Sequence, residues 1–336
     1  MAATIRDVAK RAGVSFKTVS RVLNGEAPVR AATRQRVLDA IGALDYTPHH
    51  TARHMRTRNS NTIGFISDEI ATSPFAVDIV KGAQNEAWRH GMLLLVVNTE
   101  RDSQHEANAI ATLLERRVEG IVYAAMFHRS VEPNERLRQV PAVLIDCFEP
   151  NGAYHAVVPD EEQGGYLATR TLIDNGHRRI GFVNLDPVAS AAAAAGRLAG
   201  YRRALSEAAL AFDPELVRHA STDPDQGYVQ TARLLELEER PTALFCANDR
   251  MAVGAYCAIY QRGLRIPADV AVIGYDDQEE IAAYLMPALT TIALPHEEMG
   301  RWGVQRLLEL IAASEALPQG QQPHRLSCPL VMRDSV

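Results

Sequence analysis

The chain has 336 residues, enough for two or three domains of ordinary size, each with its own core. It is 47% hydrophobic and 23% charged, as in a soluble globular protein; no run nears the ~18 apolar residues that a membrane span needs. The net charge of −6 is segregated: residues 1–60 hold 11 Lys/Arg against 4 Asp/Glu, and the remainder holds 24 against 37, so a module of +7 precedes one of −13. The basic module suits a polyanion, whereas the acidic remainder would be repelled by nucleic acid and does not wrap it. The N-terminus lacks a secretory apolar stretch, which predicts a cytoplasmic protein. Cys147, Cys246, Cys257 and Cys328 have no CxxC spacing, so no zinc site or disulfide framework is expected, and each reads as a small core hydrophobe.

In chain order, Ile5, Val8, Ala9 and Ala12 fall at helical spacing behind Thr4 and Asp7, a pair with the spacing of a capping box. Gly13 supplies a turn, and Ser15 is placed to cap a second helix. On that helix Val19, Val22 and Leu23 form an apolar arc, while Phe16, Lys17, Ser20 and Arg21 form another. No Asp or Glu occurs between Lys10 and Asn24, and side chains suited to phosphates and base edges crowd the start of the second helix. A third helix follows Pro28, with Val37, Ile41 and Leu44 closing a three-helix core.

The run from Ile5 to Asn24, then Val29 through Val37 and Asp45-Tyr-Thr-Pro48, resembles the headpiece of the lactose-repressor (LacI/GalR) family of bacterial transcription regulators, and the likeness extends through almost the whole chain. It implies that Phe16, Lys17 and Arg21 read bases in the major groove, and that Thr4, Ser15, Thr18, Ser20 and Asn24 mostly position the helix on phosphates. Residues 49–59 are basic and nearly free of apolar side chains, so they should not fold alone. By themselves they read equally as a plain linker. The resemblance makes them a hinge helix that orders on DNA, with Met55 as a minor-groove wedge and Ala52 one turn earlier on the same face. Met55 departs from the usual Leu, and His49 and His50 stand where Asn-type residues are commoner.

From Thr62 onward, apolar runs at 63–66, 92–97, 120–124, 142–145, 180–183, 243–246, 270–274 and 290–294 alternate with amphipathic stretches such as 77–90 and 297–313. That pattern predicts parallel sheets covered by helices, in two lobes because the chain is too long for one. The resemblance implies a periplasmic-binding-protein-like core of two Rossmann-like subdomains with crossings near Asp160, Ala293 and Leu326. The expected division is a helix-turn-helix headpiece at 1–47, a hinge at 48–60, one lobe at 61–160 plus 294–325, and the other at 161–293 plus 326–336.

Ligands in open α/β sheets sit beyond the carboxyl ends of strands. Asp68, Asp146, Asn248-Asp249 and Asp276 each follow an apolar run, although Asp and Asn also cap helices there. The family places effector contacts at the positions of Asp68, Asp146, Arg197, Asn248 and Asp276; without it Arg197 reads as an exposed helix cation. Carboxylates and an amide with one Arg fork suit a polyhydroxylated ligand, and a sugar or sugar derivative is the preferred class. Phe75, Tyr123 and Phe148 are candidates for an apolar platform under a sugar ring, or ordinary core. The low aromatic content of 6% disfavours the alternative, a purine corepressor. The Ala191–Ala195 run carries no ligand chemistry.

The rival class is an α/β enzyme, suggested by Asp276-Asp277 and Glu161-Glu162. No phosphate loop, His/Cys ligand spacing or Gly-x-Ser-x-Gly turn supports it, and no metal or cofactor is expected. The sequence thus points to a ligand-gated repressor acting as a homodimer on a palindromic operator, since one headpiece covers only a half-site. With no heptad tail after Leu330-Val331, dimers rather than tetramers are expected.

Overall fold

The computed structural model describes residues 3–23, 29–46, 60–70, 76–188, 191–313 and 320–336. Two compact units divide the chain, 1–60 and 61–336.

The first unit holds three helices: α1 (Ile5–Ala12), α2 (Phe16–Leu23) and α3 (Ala31–Ala43). Thr4 and Asp7 form the capping box at the start of α1: the Thr4 amide donates to Asp7 at 2.8 Å, and the Asp7 amide to the Thr4 hydroxyl at 3.4 Å. Gly13 ends α1 at φ 64°, a left-handed conformation that a side chain would strain. The Thr18 amide donates to Ser15 Oγ at 3.2 Å, capping α2. Val8, Ala12, Val19, Val22, Val37 and Tyr46 are buried together between the helices.

The second unit runs β1 (Thr62–Ser67), α4 (Val77–Arg89), β2 (Leu93–Asn98), α5 (Ser103–Glu115), β3 (Gly120–Ser130), β4 (Ala142–Phe148), β5 (His155–Pro159), α6 (Glu161–Asp174), β6 (Ile180–Leu185), α7 (Ala191–Glu207), β7 (Val217–Ala220), α8 (Pro224–Leu235), β8 (Ala243–Cys246), α9 (Asp249–Gln261), β9 (Ala271–Asp276), α10 (Glu279–Ala282), β10 (Thr290–Ala293), α11 (His296–Ala313), β11 (His324–Leu326) and β12 (Leu330–Val331). Among the described residues these strands form two six-stranded sheets, ordered β11-β5-β4-β3-β1-β2 and β12-β10-β9-β8-β6-β7. Every pairing is parallel except β10 with β12. Helices cover both faces, so β6, β8 and β9 are buried end to end, which is why they read as unbroken apolar runs. Phe182 and Phe245, paired in register across β6 and β8, stack with centroids 4.3 Å apart.

The chain passes between the sheets three times: from β5 to α6, from β10 to α11, which packs on α4 and on β3 to β5, and from β11 to β12. Glycines set the closest helix contacts. A Cβ at Gly82 or Gly300 would enter the backbone of the partner helix between α4 and α11; Gly165 and Gly200 do the same for α6 and α7, and Gly227 and Gly254 for α8 and α9.

Three expectations change. The short strands β7 and β11 carry little apolar sequence and escape a search for apolar runs, and β5, though buried throughout, offers only the three-residue run Ala156-Val157-Val158. Cys147, Cys246 and Cys328 are buried, but Cys257 is exposed on α9 and is not a core residue. Tyr123 is no ligand platform: its hydroxyl donates to Glu106 at 2.9 Å and its ring belongs to the core of the first sheet.

Candidate functional site

In the first unit, α2 turns Val19 and Val22 inward and leaves Phe16, Lys17 and Arg21 exposed on the opposite arc. Phe16 is 55% exposed, on the same arc as Lys17 and Arg21. Arg6, Lys10 and Arg11 on α1 are exposed as well, so the unit presents cations and one aromatic ring to solvent. The Ser15 and Thr18 hydroxyls lie 3.0 Å apart and hydrogen-bond to each other, and Ser20 is half-buried. Asn24, Ala52 and Met55, with the rest of the expected hinge, lie outside the described residues, as does Phe75.

In the second unit, the carboxyl ends of strands from both sheets meet around a cavity of about 40 Å³. The first sheet contributes Met126, Phe127 and His128 from the extension of β3, and Asp146 from β4; the second contributes Asp276 at the end of β9, Asn248 before α9, and Arg197 from α7. Four of the expected effector residues, Asp146, Arg197, Asn248 and Asp276, thus line one cavity. Both aspartates have positive φ, 54° at Asp146 and 111° at Asp276, and so does Asp277 at 54°. Backbone strain of this kind persists only where surrounding contacts enforce it, and it gathers at binding sites.

Those contacts are visible at Asp276. Asp249, fully buried on α9, accepts from the Thr291 hydroxyl at 2.6 Å and from the Gln278 amide at 2.8 Å. The Gln278 side chain in turn donates to Asp276 at 3.1 Å. Burial pushes the Asp249 carboxyl up to about 7, against the hydrogen bonds from Thr291 and Gln278. Burial also raises Asp276, opposed by Arg197, and raises Asp146, where the Glu161 charge adds to the effect. Asp146 Oδ1 is buried in the cavity wall without a hydrogen-bond partner, so a donor supplied by a ligand would satisfy it.

Arg197 is not the exposed cation its sequence context suggests; it is 4% exposed. Its guanidinium lies over the Tyr275 ring at 3.7 Å, and its Nε donates to Glu161 Oε2 at 2.8 Å. A second bond runs from Nη2 to Glu161 Oε1 at 3.4 Å, and Nη1 donates to the Ala247 carbonyl. Three of its five N–H groups are therefore held, fixing the fork while two remain for a ligand. Burial works against the Glu161 carboxylate, but Arg197 and His128 outweigh it and hold it down at about 2. His128 Nδ1 lies 3.7 Å from Glu161 Oε1, linking β3 of the first sheet to α6 beneath the second.

Asp68 stands outside the cavity wall. Its Oδ1 accepts from the amides of Glu69 and Met126, both at 2.8 Å, and its Oδ2 from Arg129 at 3.2 Å, so it anchors the β3 extension that delivers Met126 to His128. Phe148 lines a neighbouring cavity instead. Asn248 caps α9, accepting from the Met251 amide at 2.7 Å, and also donates to the Thr222 carbonyl at 3.3 Å, so it serves both the helix and the cavity. From the alanine run Ala193 lines the cavity, its small side chain leaving room there. Sequence reasoning missed His128, Glu161, Arg250 and Gln278 as lining residues. Glu161 stood out only as half of an acidic pair; recognising β5 would have placed it at a strand-to-helix turn.

No group of three metal-ligating side chains occurs among the described residues. No described helix is long and apolar enough to cross a membrane.

A helix-turn-helix surface followed by a two-sheet core, with strand ends converging on a polar cavity, defines a DNA-binding regulator built on a ligand-binding scaffold. The family model for bacterial regulatory proteins of the lacI family matches residues 4–49, and that for a periplasmic binding protein-like domain matches 169–336. The chain is 37% identical over 313 residues to the HTH-type transcriptional repressor PurR of Aliivibrio salmonicida, covering 92% of each. It is 36% identical over 309 residues to the ribose operon repressor of Haemophilus influenzae, again covering 92% of each. The lac repressor dimer bound to operator and the anti-inducer ONPF superimposes with a TM-score of 0.84 at 30% identity, covering 100% of this chain and 99% of that one. The chain belongs to the LacI family of transcriptional repressors; its relatives are DNA-binding regulators and not enzymes.

Proposed function

We propose that this repressor binds a palindromic operator as a homodimer and is controlled by a small carbohydrate held between its two lobes. Phe16, Lys17 and Arg21 read base edges; Thr4, Ser15, Thr18, Ser20 and Asn24 hold phosphates; and residues 48–60 form the hinge, with Ala52 and Met55 toward the minor groove. The lobes comprise 61–160 with 294–325 and 161–293 with 326–336. A coupling of about 1–3 kcal/mol between effector and operator, typical of such systems, changes occupancy severalfold or more.

The observation that carries the effector class is the chemistry of the cavity. Asp146 and Asp276 offer acceptors from opposite sheets, Asn248, Gln278 and Arg197 add directed donors, and Phe127 and His128 are the aromatic rings that line it among the described residues. Hydroxyl groups meet all of these at once, being donor and acceptor together. A purine corepressor is the second reading, toward which the relatives named PurR point. Several PurR relatives match at 34–37% against a ribose operon repressor at 36%, so overall likeness leans to the purine, and the carbohydrate reading stands on the cavity's chemistry alone.

A thermal-shift screen of sugars and purines, followed by operator binding with the best ligand, tests the reading. A sugar present at about 100 times its Kd adds about 2.7 kcal/mol to stability and should also alter operator affinity. Stabilisation by a purine alone overturns the carbohydrate assignment.

A further inference from the structure

The turn that carries Asp276 past the end of β9 adopts a backbone its residues do not favour. Asp276 and Asp277 follow one another at φ 111° and 54°, a left-handed pair made without glycine. Two anchors outside the cavity grip this turn. One is Asp249 on α9, which accepts from the Gln278 amide at 2.8 Å. The other is Arg333, in the segment that follows β12, whose Nη2 donates to Asp277 Oδ1 at 2.7 Å. Neither Arg333 nor Asp277 lines the cavity, whereas Asp276 and Gln278, on either side of Asp277, both do.

Arg333 is itself fixed. Its Nη1 donates to the Leu289 carbonyl at 2.9 Å, and its backbone amide to the Thr290 hydroxyl at 2.9 Å. Two residues on, the Ser335 hydroxyl accepts from the Thr290 amide at 2.8 Å and donates to the Val272 carbonyl at 2.6 Å, so the segment is stitched to both β10 and β9. The guanidinium therefore reaches Asp277 from a rigid base. The side chains of the pair are 17% and 24% exposed, partly shielded from water, and the arginine fork serves the Leu289 carbonyl and the Asp277 carboxylate together. Its charge also relieves the crowding of three carboxylates: burial raises the Asp249 carboxyl most, Asp277 adds to the rise, and Arg333 opposes it.

We propose that Arg333 is a positioning residue of the effector site: by holding Asp277 in its left-handed conformation, it aims the neighbouring Asp276 carboxylate into the cavity. The proposal rests on the reading that Asp276 contacts the effector, and it holds for a sugar and a purine alike.

Two substitutions at position 277 separate positioning from mere stitching. Asp277→Ala and Asp277→Gly both remove the ion pair, but only glycine adopts a positive φ without steric cost. Isothermal titration of the full chain with glucose, galactose, ribose, adenine and guanine supplies the comparison. Any of these that the wild type binds should bind Asp277→Ala about fivefold or more weaker, and Asp277→Gly within about twofold of wild type. Arg333→Gln should match Asp277→Ala, and adding Asp277→Gly to it should restore the affinity. Equal affinity of the two 277 variants, or an Arg333→Gln loss that Asp277→Gly leaves in place, overturns the proposal, because an arginine that only stitches β9 to β10 predicts both. The crystal structure of Arg333→Gln reads the turn without any ligand: residue 277 should leave φ 54°, and an unmoved turn overturns the proposal equally. Failure of every compound to bind the wild type counts against the effector classes proposed above, and that crystal structure then decides the role of Arg333.

Discussion

Truncating Glu161 to alanine removes the partner that makes a buried Arg197 tolerable. Both side chains are 4% exposed, and the variant would leave the guanidinium with the Ala247 carbonyl and the Tyr275 ring as its remaining close partners. Breaking a buried pair in this way costs about 3–5 kcal/mol, because the surviving charge stays desolvated. The proton equilibrium supports a similar figure. The carboxyl is held down from 4.5 to about 2, which at about 1.4 kcal/mol per pH unit amounts to roughly 3 kcal/mol. Since the folded value lies below the unfolded one, this contribution is complete above pH 4.5 and is lost as the pH falls through about 2. At about 2 °C or more per kcal/mol for a domain of this size, Glu161→Ala should lower Tm by roughly 6 °C at pH 7. Thermal unfolding followed by circular dichroism measures the shift. The double variant Glu161→Leu/Arg197→Met, which removes both charges, should recover most of the loss. A fall of less than about 1 °C in the single variant, or equal damage in the double, refutes the argument that desolvation of the unpaired arginine dominates.

Two further predictions concern the reading helix and the lobe packing. Lys17→Ala should relax the base preference at one position of each half-site, at a cost of about 1–3 kcal/mol, as read in a binding-site selection; an unchanged preference contradicts base readout by Lys17. Gly254→Ala should destabilise the second lobe by about 1–3 kcal/mol in chemical denaturation, because the added methyl meets the α8 backbone at Pro224 and Tyr228; stability within about 0.5 kcal/mol of wild type would show that α8 and α9 separate without cost.

Much of the architecture was legible locally. The first unit could be read because α1 and α2 carry their own stop and start signals, Thr4 with Asp7, Gly13 and Ser15, and because Val19 and Val22 recur at helical spacing. The central strands could be read because burial on both faces demands continuous apolar runs. Edge strands β7 and β11 make few such demands and nothing in their composition announces them, whereas the interior strand β5 has an apolar run, Ala156-Val157-Val158, too short to stand out. The cavity was half legible. Asp146, Asn248 and Asp276 follow apolar runs, and strand ends are where ligands sit.

The sequence by itself determined the helix-turn-helix, the segregation of charge and the two-lobed α/β core, since each rests on spacing or composition within a short stretch. Only the tertiary structure decided the partners. Glu161 and Arg197 are separated by 35 intervening residues yet share two hydrogen bonds, and His128 reaches Glu161 from the other sheet. Asp68 and Asp146 look alike in sequence, each an aspartate after an apolar strand, but Met126 and Arg129 engage the first while Asp146 keeps an oxygen for the cavity. Burial and pairing depend on which side chains the crossings between sheets bring together, and a short stretch of sequence carries no record of that.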